Sequence, residues 1–175
     1  MTLPRLEPEF DSRYPLQKGT TMPKCYQLVG VPASGKSTWI KNQDWIDDCV
    51  VVSTDEFVEA HAQEVGSTYS EVFDDYMSTA VKLMADKVVQ AREAGKDVIW
   101  DQTSTGVSAR ARKFNMLPDY EHIAVVFKIP EADELARRLA SRPGKNIPDH
   151  VMRSMIENFE TPSLDEGFSQ VWFAQ

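Results

Sequence analysis

The stretch Gly30–Thr38, Gly-Val-Pro-Ala-Ser-Gly-Lys-Ser-Thr, constrains this chain more than any other, because it places two glycines five residues apart immediately before Lys36 and Ser37. Successive backbone N–H groups can wrap anionic oxygens only where side chains leave room, and Gly30 and Gly35 leave it. The spacing is that of a phosphate cradle. Lys36 reaches the outer phosphates of a nucleotide, the Ser37 hydroxyl can hold a magnesium ion, and Ser34 and Thr38 belong to the same nucleotide-binding set. The flanks agree: Cys25–Val29 is an apolar strand candidate, and Trp39–Lys41 can continue a helix. The alternative is a glycine turn that merely joins strand to helix.

Reading on, a helix is predicted over Lys36–Asn42, followed by a short, fully apolar strand at Val50–Val52. Asp55 then emerges at the carboxyl end of that strand, the edge where open α/β sheets carry ligands. It is either a functional carboxylate or the N-cap of a helix beginning at Glu56, or both. Apolar residues at three-four spacing from Tyr69 to Ala94, among them Val72, Phe73, Leu83 and Met84, predict one long helix stopped by Gly95 with its stripe in the core. A third strand, Asp97–Asp101, delivers Asp101, Gln102, Thr103 and Ser104 to the same sheet edge, as site groups or as strand-end turn residues.

Helix Gly106–Asn115, strand His122–Ile129 and helix Glu131–Ser141 follow, the last with Arg137 and Arg138 on its polar side. The segment Arg142-Pro143-Gly144-Lys145-Asn146-Ile147-Pro148 stops helices on both sides. A mobile lid carrying arginine to a nucleotide fits it, as does a simple surface loop. A helix at Pro148–Phe159 and a strand at Gln170–Ala174 complete the chain. This order predicts an α/β fold: a single P-loop NTPase domain over residues 22–175, with a mostly parallel sheet of about five strands, helices on both faces and an arginine-bearing lid. Residues 1–21, with Pro4, Pro8 and Pro15, predict a weakly structured arm.

Composition narrows the setting. No apolar run approaches the eighteen or so residues of a membrane span, and the N-terminus lacks a signal peptide's pattern, so an intracellular, cytoplasmic protein without a membrane partner is expected. Cys25 and Cys49 lack metal-type spacing and are expected as reduced, buried strand residues. A net charge of −8 argues against broad affinity for nucleic acid, yet the charge is uneven. Ten acidic and no basic residues lie between Asn42 and Val81, against nine basic and six acidic between Arg110 and Arg153. The second region would attract a polyanion, unless both are simply solvated helix faces. A guanine-reading Asn-Lys-x-Asp element is absent, and the third strand does not end in the paired acids of motor ATPases, which leaves a kinase-like reading.

The cradle Gly-x-Pro-x-Ser-Gly-Lys-Ser-Thr-Trp, Asp55, Asp101, Arg138 and Arg142 ahead of Ile147-Pro148, and Val-Met-Arg-Ser-Met at 151–155 together resemble the polynucleotide-kinase-like P-loop kinase family, above all its phage 5'-hydroxyl kinase domains. The tail Phe159–Val171 extends the likeness. The resemblance implies that Asp55 is the general base and that Lys36 and Ser37, with Mg2+, hold the donor phosphates of ATP. It further implies that Arg138 and Arg142 close over the nucleotide and that Asp101, with Thr103 nearby, orients the acceptor. One departure stands out: phage relatives carry an arginine three residues after the base, where this chain has Val58. The expected activity is transfer of the γ-phosphate to a hydroxyl of a nucleic acid, DNA or RNA, most simply its 5'-OH end. The alternatives are a hydroxymethylated base, a nucleoside or a small metabolite as acceptor, or a nucleotide-binding module without transfer.

Overall fold

The computed structural model describes residues 21–174; the expectation for the preceding arm falls outside them, residue 21 apart. Strand β1 (Lys24–Val29) is buried at every position after Lys24, as a central parallel strand must be. It pairs with β3 (Asp97–Trp100) on one side and β4 (Glu121–Phe127) on the other. Strand β2 (Cys49–Val52) lies outside β3, and β5 (Gln170–Ala174) outside β4. The resulting five-stranded sheet has the order β2-β3-β1-β4-β5 and every pairing is parallel. The sheet is thus wholly rather than mostly parallel.

Period-two alternation along the strands sends side chains to two separate cores. On one face Cys25, Val98 and Trp100 pack with Met84, Val88 and Ala91 of helix α3 (Tyr69–Glu93) and with Leu117 and Tyr120 beyond α4 (Val107–Met116). On the other, Tyr26, Leu28 and Ile99 pack with Trp39 and Ile40 of α1 (Lys36–Lys41) and with Trp45 and Ile46. A third cluster joins Val31, just after β1, to Leu135 of α5 (Ala132–Ala140) and Met152 of α6 (Asp149–Glu157). That cluster seats the two C-terminal helices on the cradle.

Several local expectations change in the folded chain. Cys25 is buried, but Cys49 is only half-buried, as are Val50 and Val51, because the apolar run forms an edge strand with one neighbour instead of two. The N-cap of α2 (Thr54–Glu64) is Ser53, whose hydroxyl accepts from the Asp55 N–H at 3.1 Å. Asp55 therefore sits in the first turn with its carboxylate released from capping. The 25-residue α3 starts at a capping box between Thr68 and Glu71. Its buried stripe is Ala80, Met84, Val88 and Ala91; Leu83 is exposed, and Phe73, in the N-terminal turns, lines a cavity instead of the core. Arg110 and Lys113, counted with the basic region, are buried and so are not part of a charged outer surface. Lys113 bonds the Ala109 carbonyl and lies 5.4 Å from the Trp100 ring centroid.

Candidate active site

The order of the strands places β1 between β3 and β4, so the crevice beyond its carboxyl end is where an open parallel sheet takes a ligand. The chain turns there through left-handed backbone at Ala33 (φ 62°) and Gly35 (φ 105°) before entering α1. Gly30 is required for a different reason. A Cβ at that position would stand 2.5 Å from Ser34 Oγ and 2.8 Å from Phe127 Cβ, so Gly30→Ala forces the loop off β4. We expect that substitution to weaken nucleotide binding at least tenfold, measured by titration with a fluorescent ATP analogue.

The interior of the loop fits a phosphate group. Lys36 Nζ donates to the carbonyls of Gly30 and Val31, both at 2.9 Å, holding the ammonium across the loop. Ser34 Oγ is buried and has no hydrogen-bond partner among the described residues. A buried hydroxyl without a partner is costly, and an anion in the loop would satisfy it. Burial pulls the Lys36 ammonium down to about 8, against the opposing charges of Asp101 and Asp55.

Around this loop opens a cavity of about 1740 Å³. Every site residue expected from sequence lines it except Gly30: Ser34, Gly35, Lys36, Ser37 and Thr38 on the cradle side, Asp55, Asp101 and Thr103 across from them, Arg138 from α5 and Arg142 from the loop between α5 and α6. Arg138 is held by Glu134 at 2.5 Å and donates to the Ala33 carbonyl at 3.2 Å, so it already touches the cradle backbone. The Arg142 charge reaches Lys36, Asp55 and Asp101. The two halves are joined through the main chain: the Gly30 N–H donates to the Thr103 carbonyl, and the Asp101 N–H to the Val52 carbonyl, both at 2.9 Å.

The two carboxylates differ in kind. For Asp55, burial raises the carboxyl, but a hydrogen bond and charge from Lys145 and a hydrogen bond from Tyr69 outweigh it and hold the group below the ordinary carboxylate range. For Asp101, burial pushes the carboxyl up, and the Asp55 charge adds to the rise against the opposing pull of Lys36. Neighbouring carboxyls driven apart in this way are suited to different work: one stays ionised and available to a proton, the other more readily carries one.

Two neighbours of Asp55 were not singled out from sequence. Tyr69 Oη donates to Asp55 Oδ1 at 2.7 Å, and Lys145 Nζ to Oδ2 at 2.5 Å. Lys145 belongs to the cationic segment 142–148 and Tyr69 opens the long helix, but neither stands in a motif that marks it as a partner of a carboxylate. Val58, the position of the departure from the phage pattern, is fully buried in the core. Its side chain has no access to the cavity.

Comparison with known proteins places the chain. The AAA domain family profile matches residues 27–162, from within β1 to beyond α6. The chain belongs to the AAA domain family. Among relatives of this AAA domain, the bifunctional polynucleotide phosphatase/kinase of Schizosaccharomyces pombe is 26% identical over 149 residues, covering 82% of this chain but only 31% of that protein. The chain thus spans about a third of the relative's length. A chain of the Pnkp1/Rnl/Hen1 RNA repair complex superposes with a TM-score of 0.59 at 25% identity, over 78% of this chain and 44% of that one. A candidate kinase from Chloroflexus aurantiacus shares the fold, with a TM-score of 0.68 at 19% identity over 89% and 86% of the two chains. The likeness to polynucleotide-kinase-like P-loop kinases, carried in sequence by the cradle and the spaced Asp and Arg residues, is borne out. No helix among the described residues is long and apolar enough to cross a membrane.

Proposed function

We propose that this AAA domain is an ATP-dependent phosphotransferase acting on a hydroxyl of a nucleic acid, with the 5'-OH end as acceptor. The observation that carries the reading is that one cavity joins Lys36 in the cradle to a carboxylate at Asp55 that Lys145 and Tyr69 hold in its ionised form, with Arg138 and Arg142 also lining it. Phosphoryl transfer needs little else than this positioning and neutralisation of charge. On this reading the cradle N–H groups and Lys36 hold the donor phosphates. Ser37 is the residue that would hold Mg2+, which when bound neutralises charge on those phosphates. Arg138 and Arg142 stabilise the equatorial oxygens of the transferring group. Asp55 takes the proton of the attacking hydroxyl, and Asp101, with Thr103, orients the acceptor.

The similarity to a polynucleotide phosphatase/kinase supports the choice of acceptor. A second reading, a nucleoside or hydroxymethylated base as acceptor, is favoured by the burial of Val58 and by Asp74 on the acceptor wall, which leave little positive charge for a phosphate chain. Labelled ATP presented with 5'-OH DNA and RNA oligonucleotides, hydroxymethylated DNA and free nucleosides separates the two. Label is expected on the oligonucleotide ends, and label only on nucleosides or modified bases would overturn the first reading in favour of the second.

A further inference from the structure

We infer that Lys145 and Glu59 form a positioning pair for the candidate base: Lys145 orients the Asp55 carboxylate until the acceptor arrives, and Glu59 receives the ammonium when Asp55 takes the acceptor's proton. The inference rests on the proposed reading of Asp55 as base. Lys145 Nζ is shared between Asp55 Oδ2 at 2.5 Å and Glu59 Oε1 at 2.9 Å, and it stands 4.1 Å from the Tyr69 ring centroid. Its side chain is only 10% exposed, whereas Asp55 and Glu59 are about half exposed. Such an ammonium is largely out of water and held by three groups at once, each facing it from α2 or the start of α3.

The loop that carries Lys145 is fastened as well. The Gly144 carbonyl accepts from the Ser70 N–H at 3.0 Å, and the Asn146 N–H donates to Ser70 Oγ at 2.8 Å. Gly144 (φ 73°) packs so closely on Thr68 that a Cβ there would lie 3.1 Å from the threonine Cβ. Lys145 is therefore delivered to Asp55 by main-chain contacts on both its neighbours. A lysine that only decorated the surface would have no such clasp.

The chemistry of the proposed step needs two carboxylates rather than one. While Asp55 is ionised, Lys145 and Tyr69 fix both of its oxygens and thereby the direction of the remaining lone pairs. In transfer, the acceptor oxygen forms its bond to the γ-phosphorus, the bond from that phosphorus to the bridging oxygen breaks, and the hydroxyl proton passes to Asp55. The carboxyl is then neutral and no longer holds an ammonium. Glu59, one helical turn along α2, keeps its charge and retains Lys145, so the loop stays fastened through the step. The other charged or titratable groups facing Asp55 are Tyr69 from α3, Arg142 beside Lys145, Lys36 from the cradle and Asp101 after β3. None of these bridges to a second carboxylate in the way Lys145 does.

Opposite effects of the two partners test the pair. Lys145→Met is expected to raise the Asp55 midpoint, followed by carboxyl carbon NMR in the full chain, by about one pH unit or more. It should move the acid limb of kcat/KM for the acceptor upward by the same amount, with Lys145→Arg restoring most of the shift and KM for ATP changing less than twofold. Glu59→Gln removes a like charge and leaves Lys145 to Asp55 alone, so the midpoint falls and kcat drops several-fold. An unmoved Asp55 midpoint in Lys145→Met, or shifts of the same sign in both variants, overturns the inference. The NMR titration requires no acceptor. Failure of the wild-type protein to phosphorylate any hydroxyl would therefore defeat the proposed function while leaving the pairing itself separately measurable.

Discussion

Asp55→Asn lowers kcat about 10²- to 10⁴-fold while ATP binds with nearly unchanged affinity, whereas Lys36→Ala removes binding and transfer together. The asymmetry follows from where the two side chains sit. Lys36 bridges the Gly30 and Val31 carbonyls inside the cradle, so its loss takes the positive charge from the phosphate site itself. Asp55 lies across the cavity, and its carboxylate accepts from Tyr69 and Lys145; the asparagine keeps the shape and the Tyr69 contact but cannot accept a proton. A general base contributes about 10²- to 10⁴-fold, and a residue used only at that step lowers kcat without raising the Kd for the donor. Single-turnover transfer together with a nucleotide titration measures both quantities. Near wild-type transfer by the Asp55→Asn protein would remove Asp55 from the mechanism.

The second large effect concerns stability. Arg110, fully buried, donates from Nε and Nη2 to the two Glu166 oxygens at 2.7 and 2.8 Å, and from Nη1 to the Ser104 carbonyl at 2.9 Å. This one side chain ties the turn at Leu164–Glu166 to α4 and to the loop that follows β3. Removing one partner of a buried pair leaves the other without compensation and costs about 3–5 kcal/mol. Arg110→Ala is therefore expected to lower Tm by roughly 10 °C or more, read by circular dichroism. Replacing both members by apolar residues of similar volume costs far less, which separates a lost partner from lost packing.

The pair also carries a pH signature. Burial alone would raise the Glu166 carboxyl, but the bonds from Arg110 and the Ser163 N–H outweigh it and hold the group below its ordinary value. A carboxyl depressed in the folded state contributes stability that is complete above the unfolded value and is lost as pH falls through the folded one. The Tm difference between wild type and Arg110→Ala should thus be full at neutral pH and shrink in acid.

Much of this arrangement was legible from residues that are neighbours in the chain. The cradle was, because two glycines, a lysine and a serine at fixed spacing encode loop geometry and chemistry together. Asp55 and Asp101 were, because short apolar runs ending in a carboxylate put that carboxylate at one sheet edge, and β5 was found at its expected bounds, Gln170–Ala174. What escaped depends on distant partners. Lys145 meets Asp55 across 90 positions of sequence, and no local pattern distinguishes a lysine aimed at a base from one in water. Arg110 looked like surface charge because its partner, Glu166, lies 56 positions on. The half-exposure of Cys49–Val51 and the exposure of Phe73 reflect the place of their elements in the sheet order, which apolar content alone does not encode.

The hydrogen bond from the Gly30 N–H to the Thr103 carbonyl gives the molecule a fixed gauge. Because backbone rather than side chains joins the cradle to the opposite wall of the cavity, their separation does not depend on which side chains occupy positions 101–104. Such a frame lets the side chains of that wall be rewritten, by drift or by design, without moving it relative to the cradle.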